Sequence, residues 1–350
     1  MRGRMVGVPL ERLEALATRV GGGKPVSVTA LVGGASTRRF YRVGLCDGRS
    51  AIAMFVPDAT RSDEIVKTAQ ASNRWPFLEV RDLLQERGVR VPGVLGEACE
   101  HGFILVEDLG DDTLAQFLLQ KPDARERLYC SAVSDLARAQ ARLAELPAAS
   151  IVARRAFDAD LLRWEIDHFR QWGLEARGIQ PCQGDLALFE SIATHVARTI
   201  ASWPRGFVHR DYQSRNLMVR SNGHGPEELV WIDFQDALLG PRVYDLVALL
   251  GDSYQVFERS FIEARLDEYA SLMGLDGEGR RAVGREFEIV MVQRKLKDAG
   301  RFVFIDRVHH NASFLQYVEP TIEKARSALG RLSDETEFST LARLLDRLLR

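Results

Sequence analysis

The strongest constraint on this chain is a pair of short segments: F-V-H-R-D-Y-Q-S-R-N-L-M-V at residues 207–219 and V-W-I-D-F-Q-D at 230–236. Each sets polar, chemistry-bearing residues against apolar runs of β character, Leu217–Val219 in the first and Leu229–Ile232 in the second. Such runs read as strands. The polar stretch between them, Ser221-Asn222-Gly223-His224-Gly225-Pro226, predicts that they close as a hairpin. The hairpin would bring Asn216 and Asp233 together at one end. An Asn-plus-Asp pair offers hard oxygen donors, which suit Mg²⁺ and not a soft metal. Asp211 lies on the loop that enters the hairpin, where a carboxylate can receive or orient a hydroxyl facing metal-bound phosphates.

The remaining composition excludes several classes of function. With 350 residues, 46% hydrophobic and 27% charged, the chain has the length of roughly two domains and apolar residues enough for a sizeable core. Forty-seven Lys plus Arg against 49 Asp plus Glu give a net charge of −2. That balance offers no net pull toward nucleic acid or an anionic membrane, so an anionic ligand has to be held by a local site. Cys46, Cys99, Cys130 and Cys182 form no C-x-x-C pair and read as reduced core residues. The first residues carry too short an apolar stretch for a signal-peptide core, and no segment approaches the roughly 20 apolar residues of a membrane span. The expectation is a cytoplasmic protein with a small-molecule partner and no nucleic-acid, membrane or obligate protein partner.

Leu10, Leu13, Leu16, Ala17 and Val20 recur at helical spacing and stop at Gly21-Gly22-Gly23. Strand-like runs follow at 26–32, 40–43 and 51–56, with the small-residue corner Gly33-Gly34-Ala35-Ser36 between the first two. A helix over 77–87 stops at Gly88, and strand-like pieces lie around 89–94 and 102–107. Beyond a polar joint at Asp108-Leu109-Gly110-Asp111-Asp112 the pattern turns helical: 124–145, 157–172, 185–203, 242–252, 257–273, 279–305 and 335–349. The fold class expected is α+β in two lobes, a small β-rich lobe over 1–107 and a larger, mainly helical lobe over 108–350 that carries the hairpin.

The run H-R-D-x-x-x-x-N, the β-run ending in Asp233 and the P-x-x-Y-D-L at 241–246 together resemble the protein-kinase-like phosphotransferases. More narrowly they resemble the aminoglycoside-phosphotransferase/choline-kinase branch. The resemblance implies a two-lobed kinase using ATP and Mg²⁺, with Asp211 as the catalytic residue and Asn216 and Asp233 as the metal ligands. His209 and Arg210 would brace the loop. Asp245 would support it, and a carboxylate in so apolar a run needs backbone N–H groups or an Arg as partners.

In the small lobe the family binds phosphates through the first β-corner, here Ser36, Thr37, Arg38 and Arg39, and binds adenine through the inter-lobe backbone, here Glu107 and Leu109. Where the family usually carries a strand-three Lys, this chain has Met54. Phosphate neutralisation then falls to Mg²⁺ and to Arg38 or Arg39, and Glu79, the usual partner of that Lys, is left without its role.

Within the branch, H-R-D-Y-x-S-R-N-L-M, S-T-R-R-F-Y-R at 36–42, G-F-I-L-V-E-D-L-G at 102–110 and Q-R-K-L-K-D-A-G-R-F at 293–302 resemble bacterial anomeric sugar kinases. Those enzymes phosphorylate N-acetylmuramate and N-acetylglucosamine at C1 in cell-wall recycling. Gln213 stands where that group has His, and with Asp236 and Glu165 it is a candidate for the acceptor side. Asp236 reads equally as a turn cap. Phe169 and Trp172 read as core, and Asp158, Asp160 and Asp167 as a solvated face. Other alcohol acceptors (aminoglycoside, choline, homoserine) and a catalytically silent ATP-binding scaffold, suggested by the missing Lys, are the alternatives.

Overall fold

The computed structural model describes residues 9–31, 38–57, 74–221 and 225–349. The expected two-lobe α+β architecture is present. Five antiparallel strands, β1 (Ser27–Ala30), β2 (Arg39–Gly44), β3 (Ser50–Phe55), β4 (Val94–Ala98) and β5 (Phe103–Glu107), form one sheet in the order β1-β2-β3-β5-β4. Its two faces are covered by different helices. Leu13, Leu16 and Ala17 of the helix Leu10–Gly21 pack against Tyr41, Val43, Ala51 and Ala53. On the other face Leu78, from the helix Pro76–Glu86, packs against Met54, Ile104 and Val106.

Met54 is therefore a core residue, 3% exposed, in an apolar cluster that has no place for a cation. Glu79 is drawn elsewhere, its Oε1 accepting the Ile151 N–H at 2.7 Å. The missing Lys and its displaced partner are thus one accommodated change.

The larger lobe is built on the 33-residue helix Gly277–His309, which packs on Ala159–His168 and Val318–Arg331. At Gly300 an added Cβ would run into the His168 backbone, so this glycine is what allows the two helices to approach. The larger lobe carries two short sheets, β6 (Arg205–Val208) with β9 (Leu238–Pro241), and β7 (Leu217–Arg220) with β8 (Glu228–Trp231), the second of which meets the joint through bonds to the Arg90 and Asp112 carbonyls.

Three elements escape the sequence reading. Leu114–Gln120 starts at a Thr113 cap, the Val318–Arg331 helix carries Pro320 in its first turn, and β9 contains Gly240 and Pro241. A proline there loses no intrahelical bond, so it does not break the helix its position in sequence suggests. The predicted 157–172 helix is α-helical only over Ala159–His168 and continues as a π-helical turn, Phe169–Leu174. The cysteines are all free, but none is a core residue: Cys46 and Cys182 are exposed, Cys99 and Cys130 half-buried. Among the described residues no helix is long and apolar enough to cross a membrane.

Candidate active site

The β7–β8 hairpin pairs Leu217 with Trp231, and one step beyond that pair the Ile232 N–H donates to the Asn216 carbonyl at 3.0 Å. Asn216 and Asp233 are thereby brought to the same end of the hairpin. Asn216 Nδ2 donates to the Asp211 carbonyl at 2.9 Å, which turns Oδ1 away from that carbonyl. The loop between them is a tight turn in which the Gln213 N–H donates to Asp211 O at 2.9 Å and the Asn216 N–H to Gln213 O at 2.8 Å.

The loop is anchored from behind. Asp245, fully buried, accepts the His209 N–H at 2.7 Å and the Arg210 N–H at 3.0 Å. Presenting both N–H groups to one carboxylate puts Arg210 at φ +81°, a conformation costly for a residue with a Cβ. Burial pushes the Asp245 carboxyl up to about 7, against the pull of those two N–H groups. Asp252, 1% exposed, accepts the Ser214 N–H at 3.1 Å and also its hydroxyl. His209 takes the Asp211 N–H on Nδ1 at 3.3 Å, and burial pushes its pKa down to about 4, so the ring is neutral at ordinary pH.

Arg294, from the Gly277–His309 helix, is the residue that sequence reasoning assigned no role. Its Nη1 donates to the Arg210 carbonyl at 2.7 Å and its Nη2 lies 3.3 Å from Asp211 Oδ1. The Asp211 side chain is one-third exposed. Burial pushes its pKa up, but Arg294, Lys297 and Arg210 together outweigh burial and hold it below 3.8. The sequence marks this stretch twice, as a charge cluster Arg294-Lys295-Leu296-Lys297-Asp298 inside an apolar helical run and as part of the Q-R-K-L-K-D-A-G-R-F resemblance, but neither assigns Arg294 a role. Lys295 donates to Asp298 at 2.7 Å and Lys297 lies 3.3 Å from it.

Asp233 has φ +65° and is 40% exposed at its side chain. Its Oδ1 accepts from Gln235 Nε2 at 3.0 Å and from Arg38 Nη1 at 3.2 Å. Gln235 also donates to Asp236 Oδ2 at 3.0 Å, and Arg38 Nη2 lies 3.9 Å from the same oxygen. Phe234, fully buried, stacks on Phe77 at 5.0 Å and ties this segment to the helix Pro76–Glu86. Arg39, the first residue of β2, is exposed. Ser36 and Thr37 lie outside the described residues, as does most of their corner.

Glu107 ends β5 with its carboxylate held by Arg90 at 2.7 Å, by Arg220 and by the Gly93 N–H at 3.1 Å, while its own N–H donates to Gly93 O at 2.7 Å. Among the described residues neither the N–H nor the C=O of Leu109 takes a protein partner. Gln213 is half-buried beside Asp211.

Glu165 requires a correction. It is 0% exposed, bonded to Arg210 at 3.1 Å and Gln293 at 2.9 Å, with the Tyr244 hydroxyl at 3.5 Å. It neutralises Arg210 inside the core, and no face of it is turned to a ligand. Phe169 is fully buried, and Trp172 packs edge-on to Phe304 at 5.0 Å. Asp158 caps the helix Ala159–His168 and Asp167 pairs with Arg163.

Asn216 Oδ1 and the Asp233 carboxylate fit Mg²⁺ by donor type. Among the described residues no group of three or more His, Cys, Asp or Glu side chains forms a metal site of protein ligands alone. Two protein oxygens, with phosphates and water completing the shell, is the pattern Mg²⁺ adopts on nucleotides.

The sequence profile of the phosphotransferase enzyme family (APH) matches residues 27–283. The N-acetylmuramate/N-acetylglucosamine kinase of Pseudomonas aeruginosa is 30% identical over 312 residues, 88% of this chain and 85% of that one. The enzyme of the same name from Neisseria meningitidis serogroup B is 30% identical over 308 residues, 85% and 83% of the two chains. In fold the chain resembles a crystal structure of an ADP-bound aminoglycoside phosphotransferase, with TM-score 0.58 and 16% identity over 90% of this chain and 96% of that one. The chain therefore belongs to the phosphotransferase enzyme family and is a kinase.

Proposed function

We propose that the protein transfers the γ-phosphoryl group of Mg-ATP to the anomeric hydroxyl of an N-acetyl amino sugar, N-acetylmuramate or N-acetylglucosamine, as in the recycling of cell-wall sugars. The observation that carries this reading is the convergence of Asp211, Asn216 and Asp233 at one end of the hairpin, with Arg294 holding Asp211 ionised. The names of the relatives support the acceptor class.

In this reading Asn216 Oδ1 and the Asp233 carboxylate hold Mg²⁺. The ion, when bound, neutralises charge on the β- and γ-phosphates. Asp211 orients the acceptor hydroxyl and takes its proton as transfer proceeds in line. A carboxylate held below its usual pKa is a weak base, and an anomeric hydroxyl is the most acidic hydroxyl of a reducing sugar, so the two are matched. Arg38 supplies phosphate neutralisation that the strand-three Lys gives elsewhere, with Arg39, Ser36 and Thr37 beside it. The Glu107 carbonyl and the Leu109 N–H receive adenine, with the lobes meeting after Glu107. Gln213 and Asp236 border the acceptor.

Arg215, Arg294, Lys295 and Lys297 stand around the catalytic loop against Asp211, Asp252 and Asp298. The test is ADP release with Mg-ATP over a panel of N-acetylmuramate, N-acetylglucosamine, glucose, kanamycin, choline and homoserine. Turnover of the N-acetyl sugars to an acid-labile sugar 1-phosphate is the expected result. Turnover of kanamycin or choline alone, or none at all, overturns the reading.

A further inference from the structure

Arg215 sits between Ser214 and Asn216 on the catalytic loop, four residues after Asp211, and belongs to none of the machinery assigned above. Its backbone position is fixed on both sides, by Ser214 on Asp252 and by the Asn216 N–H on Gln213. Its side chain is exposed yet held. The guanidinium carbon lies 3.4 Å from the centre of the Tyr254 ring and 5.8 Å from that of Tyr317, and Nη2 reaches the Tyr317 hydroxyl at 3.4 Å.

Arginines elsewhere in the molecule are held differently. Arg42, Arg90, Arg210, Arg242 and Arg294 each face a carboxylate, whereas among the described residues none pairs with Arg215. A guanidinium lying flat on an aromatic ring keeps its edge, with its fork of N–H donors, free for a planar anion. The nearby carboxylates are already committed, Asp252 to Ser214 and the Tyr254 N–H, Asp298 to Lys295 and Lys297. The stack costs little further ordering on binding, because the side chain is already immobilised.

We propose that Arg215, clamped on Tyr254 and Tyr317, binds a carboxylate carried by the acceptor, so that the site prefers an anionic sugar over its neutral counterpart. This rests on the sugar-kinase reading and sharpens it, since N-acetylmuramate differs from N-acetylglucosamine by a lactyl ether bearing one carboxylate.

The probes are N-acetylmuramic acid and its methyl ester, in which one methyl group removes that charge. Binding of each is measured by calorimetry with Mg-ADP present, for the wild type and for Arg215→Gln, alongside kcat/KM for N-acetylmuramate and N-acetylglucosamine. The wild type is expected to prefer acid over ester by roughly 10- to 100-fold, the worth of one charge-assisted hydrogen-bonded pair. The preference should collapse to within about twofold in Arg215→Gln, persist in part in Arg215→Lys, and shrink with added salt. Equal binding of acid and ester by the wild type, or a preference that survives Arg215→Gln, overturns the proposal. The wild-type comparison keeps the test decisive even if the variant does not fold. Charge-selective binding without phosphorylation would leave the carboxylate site standing and sink the sugar-kinase reading. Phosphorylation without charge preference would do the reverse.

Discussion

Asp211 stands under two opposing influences: burial, which favours its neutral form, and the cations Arg294, Lys297 and Arg210, which favour the carboxylate and prevail. The variant Asp211→Asn keeps the shape of the loop and removes the proposed base. It should lower kcat by about three orders of magnitude, the range for a positioned proton acceptor, while the Kd for ATP stays within about twofold. A near-normal kcat in that variant would remove Asp211 from the chemistry. Replacing Arg294 by Met takes away a positive charge and so raises the Asp211 pKa. The acid limb of the kcat–pH profile should therefore move to higher pH in Arg294→Met. An unmoved limb would show that Arg294 only braces the Arg210 carbonyl. Residues whose meaning is local were legible in the sequence: the spacing of Asp211, Asn216 and Asp233 already implies the hairpin end on which they meet. Arg294 reaches Asp211 from 83 positions along the chain, and no local pattern announces that contact. Glu165 was misread for the same reason, since its partners Arg210 and Gln293 arrive from other elements.

At the level of elements, the catalytic loop is a short turn made rigid by carboxylates behind it. Asp252 takes both the N–H and the hydroxyl of Ser214, and the Tyr254 N–H at 3.0 Å. In Asp252→Asn one of the two oxygens becomes an amide nitrogen and leaves a buried donor without its acceptor. A loss of about 1–3 kcal/mol is expected, seen as a lower denaturant midpoint with an unchanged slope. A midpoint equal to that of the wild type would mean that the loop is held by Asp245 and Arg294 alone. Amphipathic elements such as Leu10–Gly21 and Pro76–Glu86 were readable within a residue or two, because one apolar face and a glycine stop define each of them. β9 was not. Its Gly240 and Pro241 carry no strand signal, and it is a strand because β6 pairs with it.

Across the whole molecule, the two lobes are linked at the site by Arg38, which approaches Asp233 and Asp236 from the start of β2. With Met54 sealed into the core of the small lobe, Arg38 is the described cation that the small sheet directs toward the end of the hairpin. Arg38→Gln should therefore raise the KM for ATP by about tenfold, the value of one charge-assisted contact, and by more than it raises the KM for the acceptor. An effect confined to the acceptor would place Arg38 on the other side of the site. The manner in which the catalytic loop is fastened has a wider consequence. Asp245, Asp252 and Arg294 all grip its main chain or the rear of Ser214, and the side chains of Gln213 and Arg215 carry none of that fastening. On the acceptor reading proposed above, loop geometry and acceptor choice are separately heritable: substitutions at 213 and 215 would exchange one acceptor for another while Asp211, Asn216 and Asp233 keep their places.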